Sequence, residues 1–250
     1  MSGARDVQRP EGAVIPLIRL TLMERFVLSA QTGPLSITRG SQRLLAFLAV
    51  RREPVRRDQV AGTLWPDVGE ERAFASLRSD LWRLQGPAKI VIEVSSRELR
   101  LADCVSVDLY ESTDLAYRLL ASPSGPREVD PRAASIQLLS GELLPGWYEE
   151  WALMEAEHWR QLRLHALEAL SRCFWEQGHH SHAVEAALSA VAGDPLRESA
   201  HRCLIQAHLA EGNQSEALRA FENYRFLLQT ELGLEPTERL RQILPVVKTM

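Results

Sequence analysis

The chain has 250 residues, of which 45% are hydrophobic and 25% are charged, a composition typical of a globular protein with room for two domains. Its apolar runs are far shorter than the roughly 20 residues of a membrane-spanning helix, and no charged and apolar leader begins the chain. We therefore expect a cytoplasmic protein that has no membrane partner. Residues 1–108 carry 16 Lys+Arg and 13 Asp+Glu, whereas residues 109–250 carry 13 and 20, so the first part is the one expected to meet a polyanion.

Cysteine and histidine spacing argues against a metal site. The three cysteines are an odd number without CxxC spacing, so neither a disulfide framework nor a zinc ribbon is predicted. The group His179, His180 and His182 has no carboxylate or cysteine at ligand spacing, and a polar turn between helices is expected there. Because GxSxG, HExxH and glycine-rich phosphate motifs are also absent, we expect no catalytic residues, no metal and no cofactor.

Short strands are the first elements that the sequence predicts, after a loose tail over residues 1–14. Apolar residues alternate with polar ones between 18 and 23, and a second apolar run spans 26–28. A turn at Gly33–Pro34 is expected to lead into a third strand at Leu35 and Ile37. These segments predict a small antiparallel sheet.

Two helices are predicted next. Apolar residues take helical spacing from Ser41, and Pro54 closes this first helix. A second, short helix is expected over Asp58–Leu64. Trp65–Pro66 ends it, because proline disfavours helical geometry in the residue before it.

The stretch Asp67–Gln85 predicts a third, amphipathic helix. Asp67 is expected to cap it, with Glu70 completing an acidic capping box. One side gathers Phe74, Leu77, Leu81 and Leu84, and the other gathers Arg72, Ser76, Ser79 and Arg83. Asp80 flanks this polar side. Arginines and hydroxyls contact phosphates and base edges, so we interpret the helix as a DNA recognition helix, with a solvated surface as the alternative.

A hairpin with a polar tip at Ser95–Arg97 is predicted after Gly86–Pro87. Strands, three helices and a terminal hairpin, in this order, predict a winged helix-turn-helix over residues 15–108. In such a fold the third helix enters the major groove, and the hairpin, called the wing, lies on the neighbouring backbone or minor groove.

DNA contacts are predicted at three places in this domain. Base readout is assigned to Arg72, Ser76, Ser79 and Arg83 on the third helix, and wing contacts are assigned to Ser96 and Arg97. The candidates for the DNA backbone or its flank are Arg43, Arg56, Arg57, Arg78 and Lys89. Backbone contacts supply affinity that falls steeply with salt. Surface ion pairs are the alternative for these side chains.

Residues 109–250 predict an all-helical domain. Helices are expected over 109–120 and 133–144, with a loop rich in proline, glycine and serine at 121–131, and a long helix follows over 148–177. From this helix the chain repeats with the tetratricopeptide offset of 34 residues, which pairs Ala166 with Ala200, Leu170 with Leu204, Gly178 with Gly212 and Ala183 with Ala217. The aromatic set Trp147, Tyr148, Trp151 and Trp159 is either core or a partner surface.

Five segments carry a resemblance to a known family: QRLLAFLAV at 42–50, TLWPD at 63–67, ASLRSDLWRL at 75–84, LLPGWYEEW at 143–151 and ELGLEP at 231–236. Together they resemble the SARP family of bacterial pathway-specific transcriptional activators, over about residues 17–245. Members of that family join an OmpR-type winged helix to a helical bacterial transcriptional activator domain. The resemblance therefore implies a mainly α fold with a small β component.

The same resemblance implies a sequence-specific, DNA-binding activator of a biosynthetic gene cluster. Its expected partners are double-stranded DNA with direct repeats near promoters, a homodimer or side-by-side copies on that DNA, and bacterial RNA polymerase, which places the protein at the nucleoid. Larger relatives carry an ATPase module, but this sequence lacks a GxxxxGK[ST] loop and ATP control is not expected. The alternatives are a winged-helix repressor or ligand sensor whose helical domain dimerises, and a tetratricopeptide scaffold without a DNA role.

Overall fold

The computed structural model describes residues 18–121 and 133–244. The predicted tail at 1–14 and nearly all of the predicted loop at 121–131 lie outside these residues. Contacts between Cα atoms divide the chain into two compact units. The first unit comprises Met1–Thr21 and Phe26–Val107, and the second comprises Leu22–Arg25 and Asp108–Met250. The predicted fold class is confirmed, since a winged helix-turn-helix with a small β component precedes an all-helical, tetratricopeptide-like part.

The first unit combines two small sheets with three α-helices in its described residues. In chain order its elements are β1 (Ile18–Thr21), β2 (Val27–Ala30), β3 (Gly33–Pro34), α1 (Arg39–Arg51), β4 (Val55–Arg56), α2 (Arg57–Leu64), α3 (Glu70–Arg83), a 3-10 helix (Gly86–Ile90), β5 (Ile92–Val94), β6 (Glu98–Leu101) and β7 (Val105–Val107). The strand order is β3-β2-β1-β7 in one sheet and β4-β6-β5 in the other.

The first sheet differs from the prediction at both of its edges. Gly33–Pro34 is strand β3 instead of a turn, because the chain reverses two residues earlier, and Leu35 and Ile37 lie beyond the sheet. Strand β7, which the sequence does not predict, pairs in parallel with β1 and sets Ile18 opposite Val105. A run of three residues is too short to display an alternation pattern by itself.

Helix α1 supplies the centre of the first unit's core. The Thr38 hydroxyl caps it by accepting a hydrogen bond from the Ser41 N–H at 3.3 Å. The helix ends at Arg51, after which Arg52 takes a left-handed conformation with φ of 60°. Its fully buried apolar residues are Leu44, Leu45, Ala46, Phe47, Leu48 and Ala49.

From Asp108 onward, the second unit is built from helices in the residues that the structure describes. Its helices are α4 (Asp108–Ala121), α5 (Ala133–Ser140), α6 (Glu150–Glu176), α7 (His180–Gly193), α8 (Glu198–Glu211), α9 (Gln214–Leu232) and α10 (Glu238–Arg241). Gly178 lies between α6 and α7, and Gly212 lies between α8 and α9, with φ of 80° and 87°. Glycine adopts this left-handed conformation without steric cost, so both copies of the predicted repeat turn at the expected residue.

Asp108 anchors a short extended segment, Leu22–Arg25, within the second unit. Its carboxylate accepts hydrogen bonds from the backbone N–H groups of Leu22 at 2.9 Å and Met23 at 3.0 Å. The same carboxylate accepts the Leu109 N–H at 2.8 Å, at the start of α4. Met23 also forms an isolated antiparallel bridge with Leu143. One side chain therefore satisfies three backbone donors from two parts of the chain.

The aromatic set near the start of α6 is mostly core. Trp147, Trp151 and Trp159 are buried. The Trp159 indole N–H donates to the Gly141 carbonyl at 2.9 Å, and the rings of Trp147 and Trp151 meet edge-on at 6.1 Å. Tyr148 is 83% exposed and lies outside this core.

No helix within residues 18–121 and 133–244 has the length and apolar character needed to cross a bilayer. Among the same residues, no three His, Cys, Asp or Glu side chains are grouped closely enough to hold a metal ion. The three cysteines are free thiols. Burial raises the pKa of Cys173, and it raises the pKa of Cys203 to about 11.

We expect Asp108→Ala to lower the free energy of unfolding by about 1 to 3 kcal/mol, because backbone donors lose their acceptor. Urea unfolding followed by circular dichroism measures this change. Asp103→Ala is the matched control, since Asp103 is exposed and makes a surface ion pair with Arg100 at 3.2 Å; its effect should stay below about 0.5 kcal/mol. Equal losses in the two variants would contradict the anchoring role of Asp108.

Candidate nucleic-acid interface

Helix α3 is turned about its axis relative to the sequence-based face assignment. Its buried stripe consists of Ala73, Leu77 and Asp80. Phe74 and Leu81, which the sequence assigns to the core face, are half-buried. At about 100° per residue, the side opposite the buried stripe carries Glu71, Ala75, Arg78 and Trp82, all exposed.

Asp80 belongs to this buried stripe, since its side chain is buried instead of flanking the polar side. It is 4% exposed and packs against the first turn of α1. A Cβ added to Gly40 would lie 2.2 Å from Asp80 Oδ2, so a residue with a side chain would displace the carboxylate. The Ser41 hydroxyl donates to the Asp80 carbonyl at 3.2 Å. The amino end of a helix favours a nearby negative charge.

Arg83 completes the surroundings of the buried carboxylate. Its Nη1 donates to Asp80 Oδ1 at 3.4 Å. Burial raises the pKa of Asp80, while the charges of Arg83 and Arg43 oppose that rise. Arg83 therefore stabilises the position of α3 in addition to being exposed at its end.

The start of α3 also differs from the prediction. The helix begins at Glu70, and Gly69 is the N-cap residue, without a side-chain cap. The predicted capping box at Asp67 is therefore wrong. Asp67 lies in a turn in which the Val68 N–H reaches the Trp65 carbonyl at 3.5 Å, so the helix cannot begin there.

The four predicted base-reading residues lie along one flank of α3. Arg72 is exposed in the first turn, and Arg83 is exposed in the last turn. Ser76 and Ser79 are half-buried between them. The flank is thus open at both ends and partly covered in the middle.

The wing is a three-stranded sheet that is joined directly to α2. The predicted hairpin is present as β5 and β6, and β4 pairs with β6 so that Val55 lies opposite Leu99. The next residue after β4 begins α2, and the Arg57 N–H donates to the Arg97 carbonyl at 2.9 Å. The Ser95 hydroxyl closes the tip by accepting the N–H groups of Arg97 and Glu98 at 3.2 and 2.8 Å.

A cleft of about 560 Å³ lies between the start of α2, the wing and α3, and we call it the arginine cleft. Its lining residues are Arg56, Arg57, Asp58, Phe74, Ser96, Arg97 and Glu98. Arg57 Nη1 donates to the Ser95 carbonyl at 3.4 Å. The Arg56 guanidinium donates a hydrogen bond to the Asp58 carboxylate and thereby lowers the pKa of that carboxyl. Four predicted DNA-contact residues are therefore brought together here.

The other three candidates for the DNA backbone lie outside the arginine cleft. Arg43 is half-buried and donates through Nη2 to the Leu64 carbonyl at 2.6 Å, which ties α1 to the end of α2. Lys89 is exposed on the 3-10 helix. Arg78 is exposed on α3, on the side opposite the buried stripe.

Trp82 was not among the residues predicted from the sequence. Its side chain is 77% exposed in the last turn of α3. It follows Arg78 by four residues, and Arg78 follows Phe74 by four, so the three share one row along the helix. Assigning Asp80 to the buried stripe would have identified this row, because that assignment moves the exposed side onto Arg78 and Trp82.

Comparison with protein families finds one model that matches slightly more than half of the chain. This model is the bacterial transcriptional activator domain, and it matches residues 118–245. Among curated proteins, the chain is 29% identical over 220 residues to the regulatory protein AfsR of Streptomyces coelicolor, which covers 83% of this chain and 22% of that protein. It is also 29% identical over 233 residues to AfsR of Streptomyces griseus, covering 84% and 23%. The chain thus spans less than a quarter of either relative.

A solved structure shares the fold. Mycobacterium tuberculosis EmbR, in complex with a low-affinity phosphopeptide, superposes with a TM-score of 0.71 at 21% sequence identity. The match covers 91% of this chain and 64% of the EmbR chain. At this identity the similarity concerns the architecture.

We expect Gly40→Ala to lower the free energy of unfolding by about 1 to 3 kcal/mol, because its Cβ collides with the Asp80 carboxylate. Chemical unfolding monitored by circular dichroism measures the loss. Gly62→Ala in α2 is the matched control: an added Cβ meets no atom within 4 Å, so the variant should gain about 0.5 to 1 kcal/mol from helix propensity.

A double variant isolates the contact between Gly40 and Asp80. The combined Gly40→Ala and Asp80→Ala substitutions should cost less than the sum of the two single losses, since removing the carboxylate removes the collision. Strictly additive losses would show that the two positions do not interact.

Proposed function

The chain belongs to the SARP family of bacterial transcriptional activators, and from this membership we propose that it binds DNA sequence-specifically, at direct repeats near promoters, and recruits RNA polymerase to a biosynthetic gene cluster. The family consists of transcriptional regulators and not of enzymes. The observation that carries the proposal is the arginine cleft, which lies beside the exposed side of α3.

In this proposal the two predicted domains have different roles. Residues 15–108 bind DNA, and residues 109–250 act on the transcription machinery. The match of residues 118–245 to the bacterial transcriptional activator domain supports the second assignment. The basic balance of residues 1–108 supports the first, because a polyanion attracts the part of the chain with excess positive charge.

Helix α3 enters the major groove in this proposal, and the wing follows the adjacent backbone. Arg72, Ser76, Ser79 and Arg83 contact base edges along their flank, although burial limits the reach of the two serines. The phosphate contacts are assigned to Arg56, Arg57, Arg78, Lys89, Ser96 and Arg97. Arg43 is the remaining candidate for the DNA backbone, and it also donates to the Leu64 carbonyl.

The residues assigned to phosphates and those assigned to base edges contribute differently to DNA affinity. Phosphate contacts release counterions, so their affinity falls with salt and is the same for any sequence. Contacts to base edges in the major groove distinguish one base pair from another. The two sets of residues are therefore separable by experiment.

We expect Arg97→Ala to reduce the slope of log affinity against log salt by about 1, with an unchanged ratio of specific to non-specific binding. Arg72→Ala should cost about 1 to 3 kcal/mol on the operator and lower that ratio. Fluorescence titration with operator and scrambled duplexes at several salt concentrations gives both quantities. Arg219→Ala is the control, because Arg219 is exposed on α9 and pairs with Glu216.

Identical behaviour of the Arg72→Ala and Arg97→Ala variants would contradict the separation of base and phosphate contacts. The absence of any salt-dependent DNA binding by the unmodified chain would contradict DNA binding through the arginine cleft, and would favour a scaffold without a DNA role.

Run-off transcription with purified bacterial RNA polymerase tests the activator assignment. The full chain should increase transcript from a promoter that carries the direct repeats, and Arg72→Ala should lose this increase together with binding. Footprinting should show protected segments spaced by whole turns of the duplex, about 10 to 10.5 base pairs each. Reduced transcript at full occupancy would instead support the repressor alternative.

A further inference from the structure

The row Phe74, Arg78 and Trp82 runs along the exposed side of α3 and begins at the arginine cleft. Phe74 lines the cleft, and the next two members are exposed. Steps of four residues advance about 6 Å along a helix, which is close to two base-pair steps of roughly 3.4 Å each. A helix in the major groove would therefore hold Arg78 and Trp82 beside different base pairs.

Trp82 is a large apolar surface close to a positive charge. Its side chain is 77% exposed. Arg78 precedes it by one turn on the same side of α3 and is also exposed, whereas Arg83 is directed towards Asp80. An exposed aromatic ring one turn from an exposed arginine suits an anionic partner that also offers an apolar contact.

Duplex DNA offers such a contact at one base. Thymine carries a C5-methyl group in the major groove, and apolar side chains recognise it there. We propose that Trp82 packs against the methyl group of a thymine in the bound repeat, about two base-pair steps from the phosphate that Arg78 contacts. This inference rests on the proposed DNA binding and adds a specificity-determining residue to it.

The burial of Asp80 explains why the Trp82 side chain faces away from the core. Asp80 and Trp82 are two residues apart, so they lie on nearly opposite sides of the helix. Because the Asp80 carboxylate fits against Gly40 in α1, the indole is held outward. The same rotation leaves Ser76 and Ser79 half-buried, which makes Trp82 more accessible than either predicted serine.

Substitution of thymine by deoxyuridine tests the proposal, because it removes the methyl group and preserves base pairing. The probe is a duplex that the full chain enriches from random oligonucleotides, with each thymine replaced in turn. One or two positions in each repeat should weaken binding about fourfold, which corresponds to one buried methyl group. In Trp82→Ala, binding should be weaker overall, and those positions should no longer respond to deoxyuridine.

Two further variants control for indirect effects. Trp82→Phe keeps an aromatic ring and should retain part of the response to deoxyuridine. Phe226→Ala removes a comparably exposed aromatic residue, 73% exposed on α9, and should keep the full response. Circular dichroism should give unchanged unfolding for Trp82→Ala, since the side chain makes little contact with the core.

Three results would overturn the proposal. If Trp82→Ala keeps the full response to deoxyuridine, the indole does not contact a thymine methyl group. If it binds one repeat normally but loses joint occupancy of two, Trp82 contacts a neighbouring copy instead. If no sequence is enriched and no salt-dependent binding occurs, the proposed function itself fails. That outcome differs from enrichment of a sequence to which Trp82→Ala and the unmodified chain respond equally when deoxyuridine replaces thymine.

Discussion

The buried carboxylate of Asp80 is the interaction on which the presentation of α3 depends. A charged group is costly to bury, yet here Gly40 leaves the necessary space, Arg83 supplies a partner charge and α1 offers its amino end. With Asp80, Leu77 and Ala73 directed inward, the opposite side of α3 must carry Arg78 and Trp82. The exposed side is thus opposite a buried stripe that combines apolar residues with this one carboxylate.

The wing sheet is likewise joined to a helix. Strand β4 belongs to the wing sheet, and the residue after it begins α2. The Arg57 N–H at the start of α2 also donates to the Arg97 carbonyl in the wing. The backbones of Arg56, Arg57 and Arg97, which line the arginine cleft, are therefore linked directly to one another.

Helices with clear periodicity were predictable from the sequence, whereas a three-residue strand and a buried polar side chain were not. Helical spacing located α1, α2 and α6, and the glycines at 178 and 212 marked the turns of the repeat. Strand β7 has three residues and is defined by its partner β1. The core face of α3 was predicted in part: Leu77 and Leu84 are buried as expected, whereas Phe74 and Leu81 are half-buried. Asp80 counts as polar in any pattern, and the space for its burial depends on Gly40, forty positions away. The exposed position of Trp82 was not predicted for the same reason.

Side-chain contacts from several helices converge on the connection between the two helical repeats. Arg197 in this connection pairs with Glu168 of α6 at 2.7 Å, and the Tyr224 hydroxyl of α9 donates to the Leu196 carbonyl at 3.3 Å. His201 of α8 stacks on Tyr224, one of its ring nitrogens lies 2.9 Å from the Pro195 carbonyl oxygen, and burial lowers the pKa of this histidine. The glycines at 178 and 212 therefore reverse the chain within each copy of the repeat, whereas the connection between the copies is held by side chains from three helices.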